Sequence, residues 1–145
     1  MKNNIVQYLA KPSYDKQDFC DIVMLMSKSN THKQFTISDL MRVVIPPLEL
    51  GQYEVFREQN KPVGFVSWAL LTNTTAFGYI TRQRRLKSSD WNKGNQLWVI
   101  DVIAENYSPI KIIRYLRNKF EPIVDKVYWH RAKNPNKLGR KLAHV

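Results

Sequence analysis

The chain has 145 residues, 43% of them apolar, with 23 Lys and Arg against 12 Asp and Glu for a formal net charge of +11. That length and apolar share suit one domain with its own core, and the single cysteine, Cys20, excludes an internal disulfide or a thiolate zinc cluster, so a reducing compartment and no metal centre are expected. No stretch approaches the roughly 20 apolar residues of a membrane span and residues 1–12 carry no sustained apolar leader run, so the expectation is a cytoplasmic protein whose charge attracts an acidic partner.

In chain order, Phe19, Ile22, Val23 and Met26 recur at spacings of three and four, which predicts an amphipathic helix over Asp15 to Ser29. A polar loop follows, through His32 to Gln34. Thr36 or Ser38 then caps a second helix that ends at Val44 or Ile45, where Pro46-Pro47 stops it. Gln52 to Glu58 alternates, Gln59 to Pro62 turns, and Val63 to Leu71 returns, which is a β-hairpin. Thr74 to Leu86 is either a short helix or an irregular basic segment. Leu97 to Ala104 is a mostly buried strand, bounded by the turn-like Asn92-Lys93-Gly94-Asn95. Ser108-Pro109 opens a helix over Ile110 to Phe120, and Lys126 to Arg131 closes as a strand. The order predicts an α+β domain over 1–145, a mixed sheet flanked by helices, with 1–12 and 132–145 peripheral or flexible. It resembles the fold of GCN5-related N-acetyltransferases. The junction Glu105-Asn106-Tyr107-Ser108-Pro109 lacks the glycines with which that fold binds a coenzyme A pyrophosphate.

Asp101 is the one acidic residue in the Leu97 to Ala104 run. A buried carboxylate is costly without a partner, so Asp101 is either a structural anchor for backbone amides or an arginine, or one half of a catalytic pair. Of the three histidines, His144 is one residue from the C-terminus and His130 falls in the last strand-like segment. His32 stands in a loop, where side chains escape core packing. With Asp101 fixing its tautomer, it would be a general base.

Asp90-Trp91, Gly94, Trp98, Ile100-Asp101 and Ile103-Ala104, together with Gln52-Tyr53, Ser67-Trp68-Ala69, Tyr115 to Phe120 and Ser29 three residues before His32, resemble the RTX toxin-activating lysine acyltransferases, the haemolysin-activating protein family, over about Phe19 to Phe120. The resemblance implies catalytic residues His32 and Asp101 and a supporting Ser29. It also implies fatty acyl transfer from acyl carrier protein to internal lysines of an RTX protoxin, a homodimer, and no bound cofactor. His32 would act as base or as an acyl-histidine. Ser29 would approach the reacting carbonyl or cap the turn. Arg82, Arg84, Arg85 and Lys87, with Arg114 and Lys119, are the expected docking cations, or else serve solubility. The chain departs from the family at Val43, where an asparagine is expected, and over Lys133 to Val145. A coenzyme A-dependent N-acyltransferase is the alternative. A basic nucleic-acid-binding module would explain the charge but leave His32 and Asp101 idle, and no zinc-finger, basic-zipper or ribonucleoprotein signature accompanies it, so nucleic acid is not an expected partner.

Overall fold

A computed structural model describes residues 16–104 and 106–129. The expected peripheral segments, the last two residues of the expected closing strand, His130-Arg131, and His144 fall outside the described residues. The sheet has four strands in the order β1 (Tyr53–Glu58), β2 (Lys61–Leu71), β3 (Gln96–Ile103) and β4 (Val127–Trp129). The β1/β2 and β2/β3 pairs are antiparallel and β3/β4 is parallel, so the sheet is mixed and the architecture is α+β.

Helix α1 (Lys16–Lys28) lies on one face of that sheet. Its apolar stripe centres on Ile22, Leu25 and Met26, while Val23 is only half-buried. The stripe is rotated because Asp18 and Asp21 turn toward Arg57 of β1, with Arg57 Nη2 at 2.8 Å from Asp18 Oδ1 and 2.7 Å from Asp21 Oδ2. Helix α2 (Ile37–Val43) begins at a capping box in which the Asp39 N–H donates to Thr36 Oγ1 and the Thr36 N–H donates to Asp39 Oδ2. Hydrogen bonds from the Thr36 backbone N–H first, then from the Arg42 guanidinium and the Thr36 hydroxyl, hold the Asp39 carboxyl below its usual range.

Helix α2 ends at Val43, ahead of Pro46-Pro47 as expected, but a further helix begins at once. Both prolines enter the first turn of α3 (Ile45–Leu50), where the missing N–H groups would be unpaired in any case. The hairpin turn is tighter than Gln59 to Pro62. Only Gln59 and Asn60 lie between the strands, with φ of 51° and 65°, the two left-handed positions of a primed type I turn. The ambiguous segment resolves into helix α4 (Asn73–Ile80), capped by Thr72, followed by an irregular basic stretch and a single 3-10 turn at Ser88–Asp90. Helix α5 (Pro109–Phe120) follows β3. Ser108 occupies its N-cap position without a side-chain hydrogen bond, so proline alone marks that start.

The alternation of β2 divides the core. Val66, Trp68 and Leu70 face α5 and pack on Ile112, Leu116 and Phe120. Phe65 faces α1 and α3, and Ala69 and Leu71 face α4. Helices therefore cover both faces. The turn before β3 is pinned to β2. The Gly94 N–H donates to Leu70 O at 2.9 Å, and a Cβ at Gly94 would stand 1.9 Å from the Leu71 carbonyl, so only glycine fits. Gln52 Nε2 latches the same corner by donating to both Trp68 O and Trp91 O at 3.0 Å.

Candidate active site

Leu97 and Val99 of β3 pack on the α5 face, and Trp98 packs on the opposite one. Strict alternation would send Asp101 to the α5 side. A β-bulge prevents this. Ser67 pairs with Asp101 and Trp68 pairs with Val99, leaving Ile100 without a partner on β2. The extra residue resets the phase, so Ile103 packs with α1 and Asp101 shares its face.

Residue 32 reaches the same place from the chain's other half. After α1 the backbone turns tightly, with the His32 N–H donating to Ser29 O at 3.1 Å and the Lys33 N–H donating to Ser29 O at 2.9 Å. The turn brings the side chains of positions 29 and 32 together. His32 Nδ1 lies 2.6 Å from Ser29 Oγ, and His32 Nε2 lies 2.6 Å from Asp101 Oδ1. The Val102 N–H donates to the same carboxylate oxygen at 2.9 Å. Side-chain exposure is 7% for His32 and 15% for Asp101, so the pair is shielded but not sealed. Phe35 packs its ring 5.1 Å from the imidazole.

The tautomer follows from donor chemistry. An ionised carboxylate only accepts, so Nε2 carries the proton toward Asp101 and Nδ1 presents a lone pair to the Ser29 hydroxyl. A serine, histidine and aspartate are thus connected in series, with Nδ1 the basic atom.

The dyad lines a cleft of about 930 Å³. Val99, Ile112, Ile113, Leu116, Val127 and Trp129 supply an apolar wall from β3, α5 and β4. Val43 adds a further apolar surface where a polar one was expected from the resemblance. Arg42, Arg82, Arg84 and Arg85 also line the cleft, and Asp101 is the only acidic lining residue among the described residues. Tyr79 lines it too, with its ring edge-on to Trp98 at 6.1 Å. Burial first and the Asp101 charge second push the Tyr79 phenol upward, so it remains protonated at neutral pH.

Of the six cations expected at a docking face, Arg82, Arg84 and Arg85 meet at the cleft and the others do not. Lys87 and Arg114 are exposed outside it, and Lys119 lies over the rings of Trp68 and Tyr115 at 5.6 and 5.8 Å. Cys20 is exposed on α1 and does not line the cleft. Among the described residues no cluster of His, Cys, Asp or Glu is arranged to hold a metal ion, and no helix is long and apolar enough to cross a membrane. Tyr79 and Arg42 were missed by reading the sequence. The available signal for Tyr79 was its place at the end of a short helix, immediately before the basic run.

A model of the RTX toxin acyltransferase family matches residues 13–145, which extends the similarity past the Phe19 to Phe120 stretch into the C-terminal segment. The RTX-II toxin-activating lysine-acyltransferase ApxIIC of Actinobacillus pleuropneumoniae is 33% identical over 99 residues, 68% of this chain and 62% of that protein. The protein-lysine palmitoyltransferase CyaC of Bordetella bronchiseptica is 34% identical over 96 residues, 66% of this chain and 52% of its own length. The protein-lysine myristoyltransferase HlyC of Escherichia coli is 30% identical over 96 residues, 66% of this chain and 55% of its own length. The chain therefore spans between half and two thirds of the length of these three relatives.

Proposed function

The chain belongs to the RTX toxin acyltransferase family, and on that premise we propose that it transfers a fatty acyl group from acyl carrier protein to internal lysine side chains of an RTX protoxin in the cytoplasm, working as a homodimer without a bound cofactor. The observation that carries this reading is the His32–Asp101 pair lining an apolar cleft that arginines also line, with Ser29 buried behind it on His32 Nδ1. Relatives named for palmitoyl and myristoyl transfer support a long apolar acyl group, which the α5 and β4 wall suits.

A lysine amine has an unperturbed pKa of about 10.4 and must lose a proton to act as a nucleophile. In the proposed step the amine nitrogen attacks the thioester carbonyl, the C–N bond forms and the C–S bond breaks. The ammonium first releases one proton to solvent; as the neutral amine attacks, His32 Nδ1 takes the second, directly once Ser29 swings aside or through the Ser29 hydroxyl, and passes it to the departing thiolate. Asp101 holds Nε2–H and stabilises the imidazolium. The geometry favours a base over an acyl-histidine, because Nδ1 is already engaged by Ser29 and an acyl group there would have to displace that hydroxyl.

Mass spectrometry of a protoxin fragment incubated with acyl carrier protein and acyl-coenzyme A as separate donors tests the reading. The expected result is a mass increase of one acyl group per modified lysine with the carrier donor, abolished in His32→Ala while its circular dichroism stays native. Transfer by His32→Ala at the wild-type rate would overturn the assignment of the base.

A further inference from the structure

Helix α4 ends in a Schellman turn. The Gln83 N–H donates to Gly78 O at 3.0 Å and the Arg82 N–H donates to Tyr79 O at 3.3 Å, which puts Arg82 at the position after the cap, with φ of 59°. Glycine is the usual occupant of that position, because a Cβ is disfavoured in the left-handed region. The only other described non-glycine residues with positive φ, Gln59 and Asn60, are the two residues of the hairpin turn. An arginine therefore stands where backbone conformation favours glycine, and it lines the cleft that holds His32 and Asp101.

Its neighbours sharpen the point. Arg42 is paired with Asp39 at 3.1 Å, and Arg84 is paired with Asp90. Arg82 and Arg85 have no ion-pair partner among the described residues. Two of the four cleft arginines are thus held by carboxylates and two are left to face an anion from outside. The cleft's own acid, Asp101, is engaged by His32.

We propose that Arg82 and Arg85 seat the phosphate ester of the acyl donor's pantetheine arm. The inference rests on the acyl-transfer reading above, which places a thioester beside His32. The anion must then be carried on the molecule whose acyl end enters the cleft, and the arm's only charged group is the phosphate at its far end. Guanidinium forks match phosphate oxygens in pairs, which a mobile surface lysine does not. Carrier protein and coenzyme A present the same phosphate on the same arm.

The test uses phosphopantetheine and pantetheine as probes, titrated calorimetrically into the wild type, Arg82→Gly and Arg85→Gln. Phosphopantetheine should bind the wild type about tenfold more tightly than pantetheine, and each substitution should remove most of that preference. Arg82→Gly should at the same time raise Tm by about 2–4 °C, because glycine relieves the left-handed turn, so its weaker binding cannot be ascribed to unfolding. Equal affinity of the wild type for the two probes, or a preference that survives both substitutions, would overturn the seat. In acyl transfer, Arg82→Gly should raise the KM of the carrier donor and of a free acyl-phosphopantetheine donor alike. A rise confined to the carrier donor would assign the arginines to the carrier's protein surface and overturn the phosphate assignment. Absence of acyl transfer from any donor overturns the functional reading instead, and leaves the difference between the two probes as a separate result.

Discussion

The orientation of one imidazole decides what the site can do. With Nε2–H directed at Asp101 and Nδ1 facing Ser29, the carboxylate selects the tautomer as well as the position of the ring. Asp101→Asn preserves size but replaces an acceptor-only group with one that can also donate. The amide can then accept from Nε2–H or donate to Nε2, and in the second case Nδ1 is protonated and no longer a base. The expected loss in kcat is on the order of 10³–10⁴-fold with donor KM little changed, read in steady-state acyl-transfer kinetics. Ser29→Ala should cost about tenfold, since it removes one neutral hydrogen bond and leaves the base in place. Equal losses in the two variants would instead assign Ser29 an indispensable role in the proton's path. The contact of Ser29 with His32 was not among the roles expected for it, which were the reacting carbonyl or a turn cap, although the three-residue spacing in a polar loop is compatible with it. The facing of Asp101 was not legible either, because residue types reveal alternation but not the unpaired Ile100 that shifts it, and β2 supplies that information only through pairing.

Helix α1 carries the chain into the turn that holds Ser29 and His32, so its docking sets the geometry of the imidazole from outside the cleft. Arg57 of β1 binds Asp18 and Asp21 together, and desolvation offsets part of the rise in its pKa that the Asp18 hydrogen bond chiefly produces. Arg57→Ala should lower stability by about 1–3 kcal/mol, measured by urea unfolding, because it removes the cation that Asp18 and Asp21 share and leaves them the neutral Tyr53 hydroxyl and Gln17 amide as side-chain donors. Transfer activity should fall with it, although Arg57 does not line the cleft. Unchanged activity in the folded variant would show that the turn holds its shape without the clamp. Helix α1 was readable from spacing and α5 from Ser108-Pro109, while the cap of α2 was readable only as Thr36 or Ser38, between which the structure chooses Thr36. The prolines at 46 and 47 marked the end of α2 correctly but hid the short helix after it, because proline marks a boundary without saying on which side a helix lies, and here it also begins a new one. The α4 turn was hidden for the opposite reason, since the expected glycine is an arginine.

Across the whole molecule, a net charge of +11 supplies a long-range field, and the arginines at the cleft direct part of it toward the entrance. Under the carrier-protein reading, kcat/KM should fall about tenfold between roughly 0.05 M and 0.3 M salt while kcat stays nearly constant, because screening slows encounter and leaves the chemical step alone. A salt-insensitive kcat/KM would remove charge steering from the account. The pairing of His32 with Asp101 joins positions 69 residues apart, and this separation has a kinetic consequence. Closing a loop of that length costs about 4 kcal/mol of chain entropy before any contact returns it, whereas α1 and the β1/β2 hairpin are built from neighbours in sequence. Catalytic competence therefore arises in the slow, nonlocal stage of folding, when β3 pairs with β2. A nascent or partly folded chain can display much of its secondary structure and still be chemically silent, which makes activity a reporter of completed topology rather than of helix content.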